Sequence, residues 1–372
     1  MNKSCINLKS TQDYAAVSKP RESNMELLRI VAMLLVMIIH SDFRALGVPS
    51  LSDFVVEPSS TIMRFLIASF SIICVDTFVL LSGWFGIRFR MDRLIELIFQ
   101  VLFFLILGFC IAIFTVPAEA LSLRGVTNFL LLDDKDYWFV KCYLLMYFFA
   151  PIMNAFVENS TEHQLRIFLI CFYVFQTIYG FISGAEWFRL GYSGISFIGL
   201  YMLARYVRLY PNKLTTLNKG WDIIIYLVIV AVMTLLAVAM SSVGTHSTLI
   251  GKVGVYYPKL INRVYAYSSP LVIISALYFL LFFSKVKLNF NRIVNCIAVS
   301  SLAVYLVHSN SWLANTYYDS YIRYCFTSFS GCEFFIRVIL FIVSVFVFSI
   351  LIDKLRIILY KAIRGFIIQL KS

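Results

Sequence analysis

The sequence predicts an all-α fold: a polytopic transmembrane helical bundle of about ten spans with both termini cytoplasmic. Three observations carry that expectation. Of 372 residues, 60% are hydrophobic, 17% aromatic and only 14% charged, outside the usual range of soluble domains. Apolar runs approaching the roughly 20 residues that a helix needs to cross hydrocarbon recur along the chain. Lys and Arg gather on alternate connections between those runs, which marks the cytoplasmic flanks.

In chain order the expected spans are residues 24–41, 62–85, 94–116, 137–157, 165–182, 195–206, 223–243, 268–283, 293–313 and 334–353. The sixth and eighth are the shortest. Before the first span lies a polar tail, residues 1–21, with no small-residue cleavage site, so this end reads as a retained anchor and not as a cleaved signal. Five basic clusters fall on one side: Lys3, Lys9, Lys19 and Arg21; Arg88, Arg90 and Arg93; Arg205, Arg208, Lys213 and Lys219; Lys285, Lys287 and Arg292; and Lys354, Arg356, Lys361, Arg364 and Lys371. The opposite loops, 42–61 and 117–136, are acidic or mixed, and the loop 244–267 dissents with Lys252, Lys259 and Arg263. Topology and anionic lipid account for the net charge of +12, so no nucleic-acid partner is expected. Residues 366–372 read as a short C-terminal tail, with no appended soluble domain.

The eight cysteines contain no C-x-x-C, and most lie in spans as small hydrophobes. Cys325 and Cys332 share an expected external loop where an oxidising compartment permits a disulfide, although spacing alone does not fix the pairing. Phosphate-binding, dinucleotide, nucleophile-elbow and zinc-protease signatures are absent. No two of His40, His163, His246 and His308 have metal-ligand spacing, so no metal is expected.

Chemistry concentrates in three places. Arg29 and His40 sit eleven residues apart on the first span, which returns them to nearly one helix face after a rise of roughly 16 Å. Ionisable groups in lipid usually mark a substrate or proton route. Glu26, three residues before Arg29, is placed to neutralise it. The bland alternative has Arg29 reaching the headgroups and His40 as an interfacial residue. The second place is Ser82-Gly83 followed by Arg88, Arg90 and Arg93. Here a span ends in small residues that permit close packing and meets guanidinium forks suited to phosphate oxygens. Ordinary cytoplasmic anchoring explains the same cluster. Tyr305 and His308, one turn apart in the ninth span, either orient a substrate or make an interhelical hydrogen bond. Asp76 within the second span, and Trp138 beside the acidic run Asp133-Asp134-Lys135-Asp136, are lesser candidates for binding a polyhydroxylated ligand.

Together these segments resemble the acyltransferase 3 family of bacterial integral membrane proteins. The likeness runs from Glu26-Leu27-Leu28-Arg29, through the spacing to His40 and the run Val75-Asp76-Thr77-Phe78-Val79-Leu80-Leu81-Ser82-Gly83, to Arg90-x-x-Arg93. Softer matches follow at Trp138-Phe139 through Pro151, Gly199-Leu200-Tyr201 through Arg208, and Tyr305 through His308, and the whole covers residues 22–365. Trp84 stands where the family more often has Phe or Tyr, and the hydrolase-like domain carried by many members is not expected here.

The resemblance implies transfer of an acyl group, commonly acetyl, from cytoplasmic acyl-CoA to a hydroxyl of an envelope polysaccharide, lipopolysaccharide or lipid-linked glycan, at the bacterial inner membrane. On that reading His40 acts as general base or forms an acyl-histidine, with Arg29 and Glu26 as its partners in catalysis. Arg88, Arg90, Arg93 and Ser82 hold the cofactor, acetyl-CoA, as co-substrate without a metal. Tyr305, His308, Trp138 and Asp76 meet the acceptor. Two rivals from other classes fit buried charge and aromatic mouths: a flippase or transporter of lipid-linked sugars, and a glycan polymerase.

Overall fold

The computed structural model describes residues 21–132, 136–246 and 251–371, and within them the chain is helical with no strand. Helix occupies each of the ten expected segments. The principal elements are α1 (Ser23–Ile39), α2 (Pro58–Ser71), α3 (Cys74–Phe85), α4 (Met91–Thr115), α5 (Trp138–Asn159), α6 (Glu162–Phe175), α7 (Gly194–Leu209), α8 (Lys219–His246), α9 (Gly251–Val264), α10 (Pro270–Ser284), α11 (Arg292–Val299), α12 (Ser301–His308), α13 (Ser320–Ser328) and α14 (Gly331–Lys371). Among the described residues six helices are long and apolar enough to cross a membrane, and a seventh span is counted if the pair Arg292–His308 and Ser311–Ser328, bent by 58°, is taken as one. The other expected spans correspond to α1, α7 and α10, which are shorter, at 17, 16 and 15 residues.

α1 is the axis of the bundle. It packs against α2, α3, α10, α11, α12 and α14, and Met25, Leu28, Ala32, Met33, Leu35, Val36, Met37 and Ile39 are buried around its circumference. A helix apolar on every side belongs in an interior. By contrast α14 leaves Ile336, Ile339, Leu340, Val343, Val347, Phe348 and Leu351 exposed, as expected of a helix facing lipid. This is a multi-pass membrane protein.

Several expected loops are partly helical. The 244–267 connection contains α9, whose Tyr257, Ile261 and Val264 are buried while Val255, Tyr256 and Lys259 stay exposed. The i, i+4, i+7 spacing of that apolar stripe is the reason it folds against the bundle. Cys325 lies buried inside α13 and Cys332 is exposed at the start of α14; both are free, and the loop expected to bridge them is mostly helix. Lys3, Lys9 and Lys19 of the tail, with Asp133, Asp134 and Lys135, lie outside the described residues.

Candidate active site

The small residues ending α3 let two helices meet at the backbone. A Cβ on Gly83 would stand 2.4 Å from the Tyr201 carbonyl oxygen of α7, so only glycine fits. Gly86, at φ +73°, then ends the helix in the left-handed region. The turn that follows is clamped from two sides. Ile87 N–H donates to Tyr201 Oη at 2.9 Å, Asn154 Nδ2 donates to the Ile87 carbonyl at 2.7 Å, and Tyr147 Oη both accepts from Arg90 N–H and donates to the Arg90 carbonyl, each at 3.0 Å. The arginine-bearing segment therefore has a fixed backbone.

A cavity of about 790 Å³ runs through the bundle from this basic end. Arg29, Met33, Val36 and His40 line it together, as their shared helix face requires, and Ser82, Arg93, Trp138 and Tyr305 open onto it from other helices. Glu26 lies behind the wall and accepts from Arg29 Nη1 at 2.7 Å. Arg88 and Arg90 are exposed and outside the lining, and Arg90 is turned to Asp92 at 2.9 Å. Arg93 also meets Glu96, at 3.2 Å. Asp76 stands apart from the cavity: Val75, Phe78 and Ser82 face it, whereas the Asp76 carboxyl is buried on another side of α3 with no hydrogen-bond partner among the described residues.

His40 ends α1 and begins a π-helical turn, His40–Arg44. Such turns recur at functional sites because they re-aim side chains. Here the turn brings Arg44 Nη1 to 2.9 Å from His40 Nδ1. A second π-helical turn, Ala314–Asp319, presents Asp319 to the same guanidinium, which donates to its Oδ1 from Nε at 3.2 Å and Nη2 at 2.9 Å. Arg44 also donates to Ser309 Oγ at 3.2 Å and to the His308 carbonyl at 3.1 Å. That carbonyl is free because the helix breaks after His308. Asn310 secures the break by accepting from Trp312 N–H at 3.2 Å and donating to Tyr137 Oη at 3.1 Å, while Tyr137 Oη donates to the Leu306 carbonyl.

His308 Nε2 lies 3.0 Å from His40 Nδ1, and His308 Nδ1 lies 2.5 Å from the Val304 carbonyl. A carbonyl only accepts, so His308 Nδ1 carries its hydrogen. In the neutral ring its Nε2 is then an acceptor, and His40 Nδ1, which also faces the Arg44 guanidinium donor, either donates to His308 or accepts from Arg44 according to its tautomer. In the tautomer that donates to His308, His40 keeps a lone pair on Nε2, the nitrogen a general base needs. Beyond the histidines the wall becomes aromatic. Trp138 stacks on Tyr267 at 5.9 Å between ring centres and meets Tyr192 at 4.6 Å, and Tyr265 and Asn262 complete this end of the lining.

Residues 22–354 match the family model of an acyltransferase domain, which is nearly the whole chain. The chain belongs to the acyltransferase 3 family. No curated protein and no solved structure matches it. As an acyltransferase it transfers an acyl group to a substrate, and its geometry brings together residues that the sequence reading kept apart. His308, expected beside Tyr305, is the direct partner of His40. Arg44, Asp319 and Gln100 were missed. Arg44 has a usable signal, lying four residues after His40, although it falls in the expected loop 42–61. Gln100 had another: it is a polar residue inside the run Leu97-Ile98-Phe99-Gln100-Val101-Leu102-Phe103. Asp319 had none, because only the fold carries it back to α1. Among the described residues no three His, Cys, Asp or Glu side chains gather as a metal site.

Proposed function

We propose that this acyltransferase moves a short acyl group, acetyl in the simplest case, from acyl-CoA admitted at the basic end to a hydroxyl of an envelope glycan or lipid-linked sugar admitted at the aromatic end. The observation that carries this reading is the single cavity joining Arg93 and Arg29 to His40 and then to Trp138, Tyr192 and Tyr267. Its length suits the donor. The climb from Arg29 to His40 is roughly 16 Å along α1, comparable to an extended pantetheine arm. A thioester thus reaches His40 while the phosphates remain beside Arg93, with Arg88 and Arg90 at the rim.

The acceptor oxygen attacks the thioester carbonyl carbon, the carbon–sulfur bond breaks, and CoA leaves as thiolate. His40 Nε2 takes the hydroxyl proton and returns it to the thiolate sulfur. While His40 holds that proton, its Nδ1 hydrogen passes to His308 Nε2, and the vacated lone pair faces the Arg44 Nη1 hydrogen 2.9 Å away. Asp319 balances the local positive charge. Trp138, Tyr192 and Tyr267 offer ring faces and hydroxyls of the kind that bind sugars. Positive-inside logic supports a cytoplasmic basic end and an external aromatic end, and we read the membrane as a bacterial inner membrane.

The test is transfer of label from radiolabelled acetyl-CoA to envelope glycan in membranes carrying the wild type or His40→Ala. We expect incorporation to fall to background in the variant while protein level and helix content persist. Unchanged incorporation removes His40 from the chemistry, and label that does not depend on acyl-CoA removes the donor assignment.

A further inference from the structure

One polar cluster inside the bundle is not used by the chemistry above. Gln100 of α4 donates from Nε2 to Asp353 Oδ1 of α14 at 2.9 Å. The same oxygen accepts from Arg356 Nε at 2.9 Å and from Nη2 at 2.8 Å. Asp353 is 0% exposed, Arg356 2% and Gln100 7%. Burying this pair costs several kcal/mol per ion before the attraction is counted, and well-packed apolar residues in its place are commonly neutral or stabilising. Stability therefore does not explain it. Geometry does, because the guanidinium fixes the one carboxylate oxygen, Oδ1, that also holds the Gln100 amide, while Oδ2 and Arg356 Nη1 have no partner among the described residues.

The consequence is directional. An amide whose nitrogen is tethered to α14 has only its oxygen left to offer, and Gln100 lines the cavity. No described residue donates to Gln100 Oε1, and that oxygen is absent from the buried atoms without partners, so it keeps open surface. Arg93, Leu97 and Gln100 form one stripe of α4 along the cavity wall, with Gln100 roughly 10 Å further in than Arg93. That depth lies between the phosphate end and His40. In an otherwise apolar stretch of wall, the ligand group that such an acceptor fits is a hydrogen-bond donor, which the amides of an extended donor arm supply as N–H.

We propose that Gln100 is a donor-binding residue whose Oε1, aimed by the Asp353–Arg356 pair, accepts a hydrogen bond from an amide N–H of the pantetheine arm. This rests on the acyl-CoA reading. It adds a contact that senses the arm and is blind to the nucleotide, whereas Arg93 senses the nucleotide and is blind to the arm.

The experiment measures equilibrium binding of acetyl-CoA and of S-acetylpantetheine, which lacks the nucleotide, to the purified full chain in lipid nanodiscs. Removing one neutral hydrogen bond weakens binding by about three- to tenfold. Gln100→Leu should show that loss for both donors alike, and Arg93→Ala should show a loss for acetyl-CoA alone. Asp353→Met combined with Arg356→Met should also weaken both donors, while its thermal midpoint stays equal or rises. That double variant keeps Gln100 and decides the matter if Gln100→Leu does not fold. Unaltered S-acetylpantetheine affinity in either folded variant overturns the Gln100 assignment alone. A wild type that binds neither donor overturns the acyl-CoA reading and this inference with it.

Discussion

The two arginine-bearing regions of the cavity are built on opposite principles. At the basic end the side chains of Arg90 and Arg93 are 61% and 60% exposed, and each pairs with an acid two or three residues along its own helix. At the histidine end Arg44 is 27% exposed and Asp319 2%, and the guanidinium is held by groups from two other segments that are distant in sequence. Exposed pairs are worth little and rearrange freely; buried pairs are rigid, and breaking one leaves an uncompensated charge. The first region offers charge to a ligand that brings its own geometry. The second supplies geometry to a base that must be aimed.

The largest effect that separates the regions is chemical. His40→Ala should lower acyl transfer by at least about 10²-fold, the usual scale for losing a general base, measured as label incorporated per folded protein. Transfer within a few-fold of wild type would reduce the histidine end to structure. Next comes stability. Arg44→Met leaves the Asp319 carboxylate buried without a partner, which should cost about 3–5 kcal/mol, read as a fall in thermal midpoint in detergent. Arg44→Lys should recover only part of it, since an ammonium cannot reproduce a planar fork. Equal midpoints for Lys and Arg would show that charge alone matters there, as at the basic end.

His308→Gln tests the same region more gently. It removes the proton acceptor behind His40 and should slow turnover by about tenfold, at the low edge of acid–base effects, without changing the KM for acetyl-CoA. A raised KM with unaltered turnover would move His308 from the proton path to the donor site. The smallest effects belong to the basic end. Arg93→Ala should raise the acetyl-CoA KM several-fold at low salt and less at high salt, because exposed charges are screened over a Debye length of about 10 Å at 0.1 M. Arg88→Ala and Arg90→Ala, outside the lining, should change it by no more than about twofold. Equal, salt-independent losses at all three would make the cluster a built pocket like the one around Arg44.

Legibility in the sequence followed the range of each interaction. Apolar runs located the helix in each of the ten expected spans, because the 3.6-residue period and the absence of charge are local properties, whereas α9 and α13 fell in expected loops. The common face of Arg29, Met33, Val36 and His40 followed from α1 alone, and all four do line the cavity. Which of three nearby arginines reaches inward was not legible, since Arg88, Arg90 and Arg93 differ only in where the clamped turn leaves off and α4 begins. Asp76 is the converse case. An acid inside an apolar run suggested a ligand, yet 100° per residue carries it away from the cavity that Val75 and Phe78 face.

The sequence by itself determined that this is a helical membrane protein, the positions of its apolar segments, and the pair Arg29 and His40 on one stripe, because periodicity and hydropathy act within a single helix. Tertiary structure alone decided that His308 meets His40, that Asp319 holds Arg44, and that Asp353 aims Gln100. Those contacts join residues as far as 275 positions apart. They exist only where buried polar groups, cut off from water, must find one another across the bundle.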